Sequence, residues 1–163
     1  MTIYLNKNKL QEYTARISKA SKTELVVITF ELIIKKLEEA IENFENKNND
    51  SFVYSLKKAQ QILAHKIDSL DFDYKISYDL LSLYLYVNNN INKSITKLED
   101  KDLLNSISVL NKLKLAFEGI KDFDKSGPVM ENTQTIYAGL TYGKDSLNEL
   151  SIDYGKTSRG YTI

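Results

Sequence analysis

The chain has 163 residues, 42% of them hydrophobic and 27% charged, with 22 basic side chains balancing 22 acidic ones. That length and polarity give one globular unit with a real core, and the zero net charge excludes non-specific binding to DNA or RNA, which depends on a basic excess. The absence of cysteine removes disulfides and thiolate metal sites and fits a reducing cytoplasm.

The N-terminal stretch MTIYLNKNKLQEY has no apolar core of signal-peptide length. Residues 4–18 are expected to form an extra, partly helical N-terminal segment. The longest apolar cluster, Leu25 to Ile34, is interrupted by Thr29 and Glu31 and is too short to span a bilayer. No membrane insertion and a cytoplasmic location are therefore expected.

Neither glycine nor proline occurs before Gly119, so the chain up to there reads as long helices. Ser21 followed by Glu24 fits a capping box that opens the first long helix. Leu25, Ile28, Leu32, Leu37, Ile41 and Phe44 form its stripe, and the polar run Glu45 to Asp50 ends it. Asp50 or Ser51 is expected to cap the second helix, whose stripe is Phe52, Leu56, Ala59, Leu63, Ile67 and Leu70. The break at Asp71–Tyr74 precedes a third helix carrying Ile76, Leu80, Leu83, Tyr84, Val87, Ile91, Ile95 and Leu98. After Glu99–Lys101, the fourth carries Leu103, Leu104, Ile107, Leu110, Leu113, Phe117 and Ile120. Four helices of about 20 residues joined by short loops imply an all-α, antiparallel up-down four-helix bundle.

Composition changes near the C-terminus, where five of the six glycines and the single proline fall beyond Lys121. The expected organisation is a bundle over residues 1–125 and a Gly/Tyr-containing tail over 126–163, packing on the bundle. Within the tail, Gly139, Gly143-Lys144 and Ser146 resemble a phosphate loop, but three residues separate the glycines and Asp145 precedes the serine. A P-loop needs four intervening residues, an immediate Ser or Thr, and a preceding strand. The stretch reads instead as a glycine-hinged connector between apolar pieces.

Other chemistry is equally sparse. A di-iron bundle needs Glu-x-x-His pairs, but the lone histidine, His65, is preceded at that spacing by Ile62. A helical Arg-x(4-6)-His nuclease is excluded because the arginines are Arg16 and Arg159. A phosphotransfer role for His65 is disfavoured by Lys66, Ile67 and Asp68, which leave no small residue to make room for phosphate. No catalytic residue, metal or cofactor is expected. What exceeds the needs of a bundle is apolar surface: a bundle helix buries about three positions in seven. Leu25 to Ile34 and Leu80 to Val87 are apolar nearly all round. Such surplus is either covered by the chain's own ends or binds a partner.

Several motifs in order resemble one family. Tyr13-Thr14-Ala15-Arg16-Ile17, Ala20-Ser21 and Glu24-Leu25 resemble the opening segment of the flagellin-export chaperone family FliS. Leu70-Asp71, Ile76-Ser77, Leu80 and Leu83-Tyr84-Leu85-Tyr86-Val87-Asn88 resemble that family's third-helix signature, and Lys57 to Ile62 its second helix. Lys22 stands where the family has proline, and Lys19 where it has threonine. The long tail is similar to those of some clostridial-type members. The resemblance implies a cytoplasmic helical bundle without cofactor that binds the C-terminal segment of flagellin. It prevents premature polymerisation and delivers flagellin to the flagellar type III export apparatus. It also implies that Tyr13 and Ile17 lie at a cover over the binding surface. Candidate contacts are Val27, Ile28 and Ile34 on the first long helix and Ile76, Leu80, Leu83, Tyr84, Tyr86 and Val87 on the third. The alternative is a non-catalytic bundle that self-associates as a scaffold or adaptor.

Overall fold

The computed structural model describes residues 2–130, with side chains from residue 7 onward. These residues form five helices: α1 (Thr2–Lys19), α2 (Lys22–Glu45), α3 (Asn49–Asp68), α4 (Ile76–Lys97) and α5 (Leu103–Ile120), then a 3-10 turn, Lys121–Phe123. No strand occurs among the described residues. The N-terminal segment is thus a full helix rather than a partly helical one.

Local chemistry sets most helix ends. Ser21 Oγ accepts the N–H of Glu24 at 3.3 Å, satisfying one of the donors that a helix start leaves without a partner. The cap of α3 is Asn48, not Asp50 or Ser51: its Oδ1 accepts the N–H of Ser51 at 3.2 Å. Lys47 supplies the reversal that permits this, with φ of 56°. Leu98, expected on the buried stripe of α4, instead ends that helix in the left-handed conformation, φ 52°. Its N–H still reaches the Ser94 carbonyl, but its side chain turns outward.

The core lies between α2, α3, α4 and α5. Phe30, Ile33, Leu37 and Ala40 of α2 meet Phe52, Leu56, Ala59 and Leu63 of α3, Tyr84, Val87 and Ile91 of α4, and Leu103 and Leu110 of α5. Phe30 lies at the hub of one end, with ring centroids 6.1 Å from Tyr84 and 5.8 Å from Phe117. Phe44 and Phe52, 5.2 Å apart, fill the other. α2 packs most extensively, against α3 and α5, and α4 bridges α3 and α5 on the far side. Leu104 and Ile120, expected on the inward stripe of α5, are exposed, because the core-facing row runs through Leu103, Ser106 and Leu110.

One buried polar contact ties α4 to α5: Asn90 Nδ2 donates to Ser106 Oγ at 3.1 Å. A buried amide without its acceptor costs about 1–3 kcal/mol. Ser106→Ala should therefore lower unfolding free energy by about that amount, read by urea denaturation. A change no larger than that of an exposed alanine substitution would contradict the assignment.

A strap after α5 returns to the start of α2. Asp124 Oδ2 accepts the Thr23 N–H at 3.0 Å, Asp124 Oδ1 accepts the Ser126 N–H at 3.0 Å and its hydroxyl at 2.6 Å, and the Val129 N–H donates to the Ala20 carbonyl at 3.1 Å. The boundary expected at 125/126 falls inside this strap, and residues 131–163, including the connector Gly139–Ser146, lie outside the described residues. The hydrogen bonds from Ser126 and Thr23 hold the Asp124 carboxyl well below the usual carboxylate range. A carboxyl whose folded pKa is depressed stabilises the fold above its unfolded pKa, and loses that contribution as the pH falls toward the folded value. Asp124→Asn should thus melt earlier than the parent at neutral pH, and the gap should narrow as pH drops below about 3.9. A pH-independent gap would exclude the carboxylate as its source.

Candidate functional site

Two apolar regions stand out, one covered by α1 and one along α4. α1 lies on α2, and its described contacts include specific polar ones. Arg16 donates to both carboxylate oxygens of Glu31, at 2.7 and 3.2 Å, a fork geometry that only arginine makes. Tyr13 sits between two cations, its ring centroid 5.7 Å from the Arg16 guanidinium and 5.7 Å from Lys35 Nζ. Burial, with Glu31 second, raises the Tyr13 hydroxyl pKa, so the ring stays neutral. Glu31 is the charge that interrupts the apolar run of α2, and Arg16 is its partner.

The surface beneath belongs to α2 and α5. Tyr13, Arg16, Glu31, Ile34, Lys35, Asn111 and Lys114 line one depression, so α1 lies over the α2–α5 groove. Tyr13 and Ile17 are half-buried there, and Ile34 is 7% exposed. Val27 and Ile28 are deeper, at 3% and 1%.

On α4 the candidates divide by helical position. Tyr84 and Val87 point inward and are closed to solvent; burial pushes the Tyr84 hydroxyl up to about 12. A direct contact from either needs the bundle to open, so their role in this conformation is to pack. Leu80 and Leu83 are half-buried, and Ile76 and Tyr86 are exposed. Ile76, Leu83 and Tyr86 fall on the flank of α4 shared with Asn90, which reaches Ser106 of α5, because positions three and four apart share a helix face. On α5 the matching row is Val109 and Leu113, both packed against the core, and then exposed Ile120. The α4–α5 seam is therefore an apolar strip whose middle is half-covered and whose end is open. On the opposite flank, Gln60 of α3 donates to Asn88 and Asn92 at 3.1 and 2.7 Å, so that edge is closed by polar contacts.

The structure thus brings Tyr13 and Ile34 to one depression beside α1, leaves Ile17 half-buried on α1, and sets Ile76, Leu83 and Tyr86 along one flank of α4. Sequence reasoning missed Glu31 and Lys35 as the partners of the cover, and Asp124 and Val129 as the strap. A lone acidic residue inside an apolar run was the available signal for Glu31. His65 is exposed in the last turn of α3. No group of His, Asp and Glu arranged for a metal occurs among the described residues, and no described helix is long and apolar enough to cross a membrane.

The described residues are thus all-helical, with an N-terminal helix latched on α2 and a half-open apolar seam between α4 and α5. The family model described as "Flagellar protein FliS" matches residues 6–138, covering α2 to α5 and all of α1 but its first four residues. No curated protein matches the chain. The match extends over most of the chain, and the chain belongs to the FliS family of flagellar export chaperones.

Proposed function

We propose that this protein is a cytoplasmic chaperone that binds the C-terminal segment of flagellin, keeps it from polymerising, and presents it to the flagellar export apparatus. We read α2 to α5 as the up-down four-helix body on which that segment lies. Two surfaces serve it: the α4–α5 seam through Ile76, Leu80, Leu83 and Tyr86, and the α2–α5 groove beside Ile34 beneath α1. Val27, Ile28, Tyr84 and Val87 support these surfaces from below.

The observation that carries the reading is the way α1 is held. Its specific anchors to α2, the Arg16–Glu31 fork and the Tyr13 ring between two cations, are polar and near the surface. Partly exposed ion pairs are screened by water and hold weakly. A helix held in that way covers apolar surface yet leaves it available to a partner that offers more apolar area. A flagellin segment that orders on binding loses conformational entropy, which apolar burial must exceed.

Two measurements check the surfaces. Tyr86→Ala and Ile76→Ala, both at exposed positions, should leave thermal unfolding nearly unchanged while weakening a flagellin C-terminal peptide by about tenfold each, in line with truncation of a contact aromatic or aliphatic anchor. Unchanged affinity in both variants removes the seam from the binding surface. Glu31→Gln should do the reverse: releasing the latch raises the population of the uncovered state and tightens peptide binding by roughly two- to fivefold. A weaker complex would mean that α1 is part of the bound state rather than its cover.

A further inference from the structure

The corner between α3 and α4 carries an apolar patch that neither the latch nor the seam uses in full. Tyr74, Ile76 and Tyr78 are 65%, 61% and 57% exposed, and Phe72 packs on Tyr78 with ring centroids 5.2 Å apart. The corner is preformed: the Asp71 carbonyl accepts the Tyr74 N–H at 3.2 Å and also the Ser77 hydroxyl. Asp68, Asp71, Asp73 and Asp79 fall in the same stretch of chain as these rings, against Lys75 alone. Exposed aromatic surface in an acidic stretch fits a segment that is both apolar and basic.

We propose that the occupant is this chain's own C-terminus, residues 154–163, docking in cis. That stretch carries Lys156 and Arg159 and no acidic residue, together with Tyr154, Tyr161 and Ile163. The cations meet the aspartates, and the three apolar side chains cover the exposed rings. The path is short. Thr23 is bonded to Asp124, and Phe30 meets both Tyr84 and Phe117, so the start of α2, the first half of α4 and the end of α5 lie at one end of the body. The α3–α4 corner directly precedes α4 at that end. The strap ties Val129 to Ala20 there as well, so the described chain finishes at the same end. Residues 131–153 reach about 75 Å when extended at about 3.3 Å per residue, several times the roughly 10 Å between neighbouring helices. The family match stops at residue 138, so this docking is a property of the added segment and not of the shared body. Ile76 also belongs to the surface proposed for flagellin, but the docking is tested without flagellin and stands apart from that reading.

The chain lacks cysteine, so Thr162→Cys gives a single spin-label site on the full-length protein. Amide signals of residues 70–80 should broaden in the labelled, isotope-enriched chain. Lys156→Glu with Arg159→Glu should abolish that broadening, and adding Asp73→Lys with Asp79→Lys should restore it. Broadening centred on another surface, or absent altogether, overturns the proposal. Broadening of residues 70–80 that appears only when labelled, unenriched chains are mixed with unlabelled, enriched ones assigns the patch to a second copy and equally overturns docking in cis.

Discussion

The structure depends on the burial of α2. Its apolar residues do not form a single stripe: Val27, Ile28, Phe30, Ile33, Ile34, Leu37 and Ala40 are all buried, and they occupy more of the helix circumference than one neighbour covers. α3 and α5 take the two main faces and meet α4 across Phe30 and its aromatic partners. The groove beside Ile34 is left to α1, whose place is set by Arg16 and Glu31. On the proposed reading, an apolar helix with one face covered by α1, whose specific contacts are polar, is a helix with a conditional surface. The rest of the account follows from that asymmetry.

The two ends of the chain converge on the same junction. α1 turns into α2 at Ala20 and Ser21, where the helix start is capped from within by Ser21 and from outside by Asp124. The Val129 N–H closes the Ala20 carbonyl. The hinge about which α1 would swing is therefore pinned, while the latch along the body of α1 is weak. This combination favours a cover that lifts from its middle and far end while its root stays fixed. The α4–α5 seam lies beyond α5 from that cover, so the proposed use of both surfaces calls for a long extended or helical segment rather than a compact domain.

Much of this was legible in the sequence, and the reasons for the remainder are physical. The lack of glycine and proline before Gly119 made helices unavoidable, and Ser21 with Glu24 marked the start of α2 because a cap is a local matter. Asn48 was missed as a cap because the choice among Asn48, Asp50 and Ser51 turns on the left-handed Lys47, which no pattern reveals. Ile76 and Leu98 were assigned to the buried stripe of α4 since period alone continues past the point where packing stops. Tyr84 and Tyr86 look interchangeable in sequence, yet two positions along a helix differ by about 200°, so one is core and the other surface. The apolar excess on α2 and α4 pointed to the two helices on which the proposed binding surfaces lie. Which residues of each face outward needed the neighbours, and the partners of α1 needed tertiary contacts that join Arg16 to Glu31.

The central claim, that α1 covers surface which flagellin takes over, is tested most directly by amide hydrogen exchange on the full-length protein with and without a flagellin C-terminal segment at saturating concentration. The account predicts faster exchange throughout α1, Thr2–Lys19, together with slower exchange along α4 and α5. Binding that leaves α1 exchange unchanged, or slows it, would contradict the account.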